Sequence, residues 1–159
     1  MTPAQLQAIK ADIIAKQAQG QPLAGLNEEG IAAYYNAASE KIVWRTNVTR
    51  AEIYHQTSAE ATNWNWTTYK AQNATEQNAW VQMFMGDVAN LSLANFRAGV
   101  AAIFGAANAQ TVHVLATGKR AANRLESLFA VGTGSLAVPA MMAVEGSVTA
   151  QQISDIIAG

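Results

Sequence analysis

The chain contains no cysteine. Disulfide scaffolds, thiolate-bound zinc and thiol nucleophiles are thereby excluded. Charge is also scarce: Asp, Glu, Lys and Arg make up 13% of 159 residues, against about 25% in ordinary soluble domains. Ten basic and eleven acidic residues nearly cancel, which argues against a strongly basic nucleic-acid binder or a polybasic membrane-surface protein. No apolar run approaches the roughly 18 residues of a membrane span. The longest, Leu136–Val144, has nine residues including one proline. The opening residues lack a basic stretch followed by an apolar core, so no secretory signal is read and the expected site of synthesis is a cytoplasm.

In place of charge the chain carries 42 Asn, Gln, Ser and Thr residues and 33 Ala. One domain of this length buries roughly two-thirds of the surface of its unfolded chain. A weakly charged surface rich in alanine and amides is one that a subunit packed among neighbours tolerates. An ordinary soluble protein of unusual composition is the alternative, and the assembly subunit is the favoured reading.

One local device recurs three times: an apolar residue, Thr, two further residues, Glu or Gln, and an apolar residue. It appears as Met1-Thr2-Pro3-Ala4-Gln5-Leu6, as Val48-Thr49-Arg50-Ala51-Glu52-Ile53 and as Val148-Thr149-Ala150-Gln151-Gln152-Ile153. In each, the Thr hydroxyl can accept from the third residue's amide while that residue's side chain reaches back, the reciprocal cap of a helix N-terminus. The second and third copies follow short apolar segments, Ile42–Trp44 and Met141–Val144. Both read as a strand, a turn and a capped helix, and the two strands are expected to pair in a small β-ribbon.

The remaining pattern is helical. Helices are expected from Pro3 to Gln17, after Asn27, from Thr75 to Gly86, from Leu93 to Phe104 and from Thr149 to Ala158. The longest is expected from Asn108 to Ala130, with Val112, Leu115, Ala122, Leu125 and Phe129 on its buried face. The fold class is therefore mainly α: a single-domain helical bundle with a small β-ribbon or an extended C-terminal arm. Residues 1–131 form the helical body, 132–148 a glycine-rich break and extended arm, and 149–159 the C-terminal helix.

Motifs that carry chemistry are sparse. His55 and His113 stand far apart, with no His-x-x-x-His or His-Glu pair, and each reads best as a structural hydrogen-bonder. Glu28-Glu29 opens a helix, where negative charge suits the macrodipole. Gly132-Thr133-Gly134 lacks the Lys and Ser/Thr of a phosphate loop. No catalytic residue, cofactor site or metal site is read, and the chain is not expected to be an enzyme. Trp64, Trp66, Tyr69 and Trp80 suit core packing first, a protein interface second and a ligand third. Lys119, Arg120 and Arg124 are read as one solvated helix face that could meet DNA or an acidic partner. On that reading, changing all three to Gln leaves the fold intact.

The segments MTPAQLQAIKADI, VWRTNVTRAEI, NLSLANFRAGVAAIFG and GKRAANRLESLFAVGTGSLAVPAMMAVEGSVTAQQISDI cover well over half the chain. In them the chain resembles small helical structural proteins of tailed bacteriophages, of the head–tail adaptor type, also called connectors or neck proteins. The resemblance implies a virion protein forming a portal-binding ring of about twelve copies, a closed cyclic assembly. Its partners would be itself, the portal and tail proteins, with no membrane. Leu136, Val138, Met141, Met142 and Val144 would then lie on an arm that leaves the body and adds to a neighbouring surface. Such an arm is expected to be protease-sensitive in the isolated subunit. Lys119, Arg120 and Arg124 would face the DNA channel. The alternatives are a tail-completion or capsid-decorating role, a small DNA-binding or packaging accessory, and, with least support, an enzyme.

Overall fold

The three threonine boxes close as reciprocal caps in the computed structural model, which describes residues 1–18, 22–55 and 62–159. Thr2 Oγ1 accepts from the Gln5 amide at 3.3 Å, and Gln5 Oε1 accepts from the Thr2 amide at 2.7 Å. The same exchange joins Thr49 to Glu52 at 3.1 and 2.7 Å, and Thr149 to Gln152 at 3.2 and 2.9 Å. They start helices α1 (Pro3–Ala18), α3 (Arg50–His55) and α9 (Ala150–Ala158). Asparagines cap α2 (Glu28–Asn36), α4 (Trp66–Lys70), α5 (Ala74–Met83) and α7 (Ala109–Thr117), while α6 (Ala94–Phe104) ends on Gly105 at φ 90°. The fold is mainly α, with two small two-stranded antiparallel sheets among the described residues.

The helices gather round two buried clusters. One contains Ile9, Ile13, Ile31, Tyr35, Leu125, Ile153 and their neighbours, from α1, α2, α8 (Arg124–Phe129) and α9. The other contains Ile53, Trp64, Trp80, Phe84, Leu91, Val100, Phe104 and Val114, from the segments between residues 44 and 114. The chain passes from the first group to the second along strand β1 (Ala38–Trp44) and returns along β4 (Lys119–Asn123). These two crossings pair antiparallel, with Ile42 opposite Ala121, Val43 opposite Arg120 and Trp44 opposite Lys119. Val43, Ala122 and Ala140 form a small third cluster on the ribbon. Strands β2 (Val48–Thr49) and β3 (Val88–Ala89) make the second, two-residue pairing.

This ribbon corrects two expectations. The helix expected from Asn108 to Ala130 is instead α7, β4 and α8 in succession. Lys, Arg and Ala are good helix formers, but the backbone of residues 119–123 exchanges helical bonds for a ladder that buries Ala122 against Val43. Second, the main partner of β1 is β4 and not the Met141–Val144 segment. The contact on that side comes from the preceding residue, Ala140, through a single parallel bridge to Val43.

Gly118 marks where α7 stops. Its φ of −76° is open to any residue, so space is what requires glycine here. A Cβ at this position would stand 2.1 Å from Leu91 Cδ2. Leu91 is fully buried, and the Gly118 carbonyl accepts from the Arg45 amide at 2.8 Å. We expect Gly118→Ala to lower the free energy of unfolding by about 1–3 kcal/mol, the usual cost of overpacking a filled core. Urea denaturation measures it. In the Gly118→Ala/Leu91→Ala double variant the two losses should sum to less than their separate values, because the second substitution opens the space the first one needs.

Candidate interaction surface

The three cations expected on one helix face point to three different partners. Lys119 opens β4, with its ammonium 5.9 Å from the centre of the Trp44 ring, which Arg97 also covers at 4.5 Å. Arg120, next on the strand, forks onto the Glu126 carboxylate at 2.6 and 2.7 Å and lies 3.6 Å from Glu145. Arg124, the first residue of α8, lies 4.3 Å over the Tyr34 ring and donates to the Tyr34 carbonyl at 3.2 Å. The single solvated face is therefore corrected: breaking the helix at Gly118 sends successive side chains to different sides.

Glu126 organises this region. Its side chain is 2% exposed. Besides the Arg120 fork it accepts from the Asn123 amide at 3.0 Å and the Gly146 amide at 3.1 Å. Asn123 returns the first contact by accepting from the Glu126 amide at 2.8 Å, which makes a capping box for α8. Burial by itself would raise the Glu126 pKa. The hydrogen bonds from Arg120, Gly146 and Asn123, with the guanidinium charge, outweigh burial and hold it below the ordinary 4.5. The Glu126 hydrogen bonds in turn raise the Arg120 pKa. An open cleft of about 640 Å³ lies over the pair, lined also by Arg45, Asn47, Lys119 and Glu145.

The segment expected as a free arm is extended, and it lies along the body. Val131 and Met141 exchange two backbone bonds of 2.9 Å. Ile42 donates to Gly134 O at 2.7 Å, and Ala140 both donates to Ile42 O at 2.8 Å and accepts from the Trp44 amide at 3.1 Å. Met142 packs on the ribbon cluster and Val144 on the α1–α2–α9 cluster. Leu136, Val138 and Met141 point outward with Val131, which is 70% exposed, and Val138 is 59% exposed. No charged residue occurs between Glu126 and Glu145.

The aromatic cluster divides. Trp64 and Trp80 are buried and stacked at 5.2 Å, and Trp80 Nε1 donates to Tyr54 Oη at 2.9 Å. Tyr69 packs against them half-buried, and Trp66 is 47% exposed at their edge. His113 is fully buried, with Nε2 2.7 Å from Ile53 O and Nδ1 3.1 Å from Thr62 Oγ1, so it ties α7 to α3. His55 ends α3 in solvent. Among the described residues no group of three His, Cys, Asp or Glu side chains could hold a metal ion. No helix there is long and apolar enough to cross a membrane.

Sequence reasoning missed Glu126 and Glu145 as partners of Arg120, and Tyr34 as the partner of Arg124. The signal for Glu126 was present, because Asn123-Arg124-Leu125-Glu126 has capping-box spacing with Asn in place of Thr.

A carboxylate whose pKa is lowered by folding contributes stability above its unfolded value and loses it as pH falls through the folded one. Glu126 and Glu52 both behave this way, and Arg45 assists Glu52 at 2.6 Å. Stability should therefore fall steadily as pH drops below 4.5. Glu126→Gln should cost about 1–3 kcal/mol at neutral pH, the price of a disrupted buried hydrogen-bond set. It should also flatten the acid limb of a plot of urea midpoint against pH. Arg120→Gln should cost more than Arg124→Gln, since it strands the Glu126 carboxylate.

Comparison with protein-family models, curated proteins and solved structures finds no match to this chain.

Proposed function

We propose that this chain is a virion structural protein of a tailed bacteriophage, a non-enzymatic head–tail adaptor that joins portal to tail as a closed ring of about twelve copies. Its two helical groups act as one domain in the ring, and assembly takes place in the host cytoplasm before the subunit enters the neck of the particle. The observation that carries the reading is the outward apolar side of the uncharged stretch between Glu126 and Glu145. Val131, Leu136, Val138 and Met141 stand in solvent there on a segment whose backbone is hydrogen-bonded to β1 and to itself. A pre-ordered apolar surface can bury area on a neighbour without first ordering a chain. The low charge and the segments shared in kind with neck proteins support the same assignment.

DNA binding has less support. Arg120 is already neutralised by a buried carboxylate, the net charge of the chain is close to zero, and each phosphate contact uses a cation free to neutralise it.

Quantitative mass spectrometry of purified particles tests the proposal by counting copies per virion. About twelve copies, one closed ring, is the expected result. Copies in the hundreds would reassign the chain to capsid decoration, and absence from the particle would overturn a structural role.

A further inference from the structure

A cleft of about 260 Å³ opens between α1, α2 and α8, lined by Asp12, Lys16, Tyr34, Tyr35, Arg124 and Leu128. Its charges do not balance. Asp12 is committed to Lys16 and also accepts from Tyr35 Oη at 2.6 Å. Arg124 has five N–H donors. Its guanidinium makes one hydrogen bond, to the Tyr34 carbonyl, and lies on the Tyr34 ring, with no carboxylate beside it among the described residues. The cleft is thus a cationic recess with aromatic walls, and Leu128 stands exposed at its rim, one helical turn beyond Arg124.

The opposite character occurs at the start of α2. Glu28 and Glu29 are both exposed and make no ion pair among the described residues. Leu26 stands exposed beside them. The two patches cannot meet within one subunit. Glu29 and Tyr34 are five positions apart on α2, about 7.5 Å along the axis and about 140° round it. They face away from each other, which suits a heterologous contact, the kind that closes rings, better than a two-fold one.

We propose that the Arg124 cleft receives the acidic first turn of α2 from a second copy of this chain, with Glu28 or Glu29 on the guanidinium and Leu26 against Leu128. This deepens the ring-subunit reading above and rests on it. The contact is charge-complementary and chargewise self-sufficient: each subunit offers one cleft and one acidic turn.

Sedimentation velocity on the full chain, across protein concentration and salt, tests it. The wild type should self-associate, and less so in high salt, where charges are screened beyond about 3 Å at 1 M. Arg124→Glu should weaken association roughly tenfold or more, because like charges then face each other. Glu28→Lys/Glu29→Lys, on an exposed turn away from the cleft, should do the same. Mixing the two variants, or combining them in one chain, should restore association, which a misfolded variant could not do. Circular dichroism verifies helicity for each. A wild type that stays monomeric, variants that associate as the wild type does, or a mixture without rescue overturns the inference. So does salt-sensitive retention of duplex DNA by the wild type that Arg124→Glu abolishes, since phosphate would then be the occupant. About twelve copies per virion with non-responding variants would sink this contact and leave the adaptor reading standing.

Discussion

The buried Glu126 carboxylate is the constraint on which the centre of this protein depends. Taking a carboxylate out of water costs several kcal/mol unless it is paired and fully hydrogen-bonded. Here the compensation comes from three parts of the chain: Arg120 on β4, Asn123 at the start of α8, and Gly146 beyond the apolar segment. Each fixes one thing. The Arg120 fork sets which way β4 faces, the Asn123 box sets where α8 begins, and the Gly146 amide brings the chain back towards α9. Asn123 Nδ2 closes the loop by donating to Gly146 O at 2.7 Å.

The same economy of charge bears on the surface. Lys16, Arg45, Arg50 and Arg120 pair with Asp12, Glu52, Asp87 and with Glu126 and Glu145. Those cations are four of the ten in the chain, so the face shown to other molecules is poorer in free charge than the composition suggests. What remains exposed is amide, hydroxyl, alanine, a strip of valine, leucine and methionine, and a few scattered charges such as Glu28, Glu29 and Lys70. Such a surface gains little from long-range steering and depends on close-fitting contact, apolar or between a few paired charges.

Much of the local structure was legible because caps are local. The three Thr boxes and the helix start after Asn27 lie where the sequence puts them, and α6 ends at Phe104 as its pattern does. The segment from Lys119 to Asn123 was not legible. Its composition favours helix, and the competing partner, β1, lies about eighty residues away, with Ser39 Oγ bonded to Ala122 O across a separation of 83 residues. Tertiary pairing overrode propensity there. The cations at 119, 120 and 124 were then misplaced together, since a face assigned to a helix has no meaning on a strand. Two cues were available: Gly118 inside the supposed helix, and the Asn123–Glu126 spacing that restarts one.

The position of β1 in the chain has a consequence for synthesis. Its neighbours on either side, Lys119–Asn123 and Ala140, both lie far downstream. On a ribosome, β1 is complete while β4 remains to be made, a gap of roughly 4–16 s at 5–20 residues per second. Through that interval a valine- and tryptophan-bearing strand has two open edges, the geometry that recruits foreign strands. The nascent chain therefore has a window of vulnerability that the finished fold conceals, open until residues 119–123 are made.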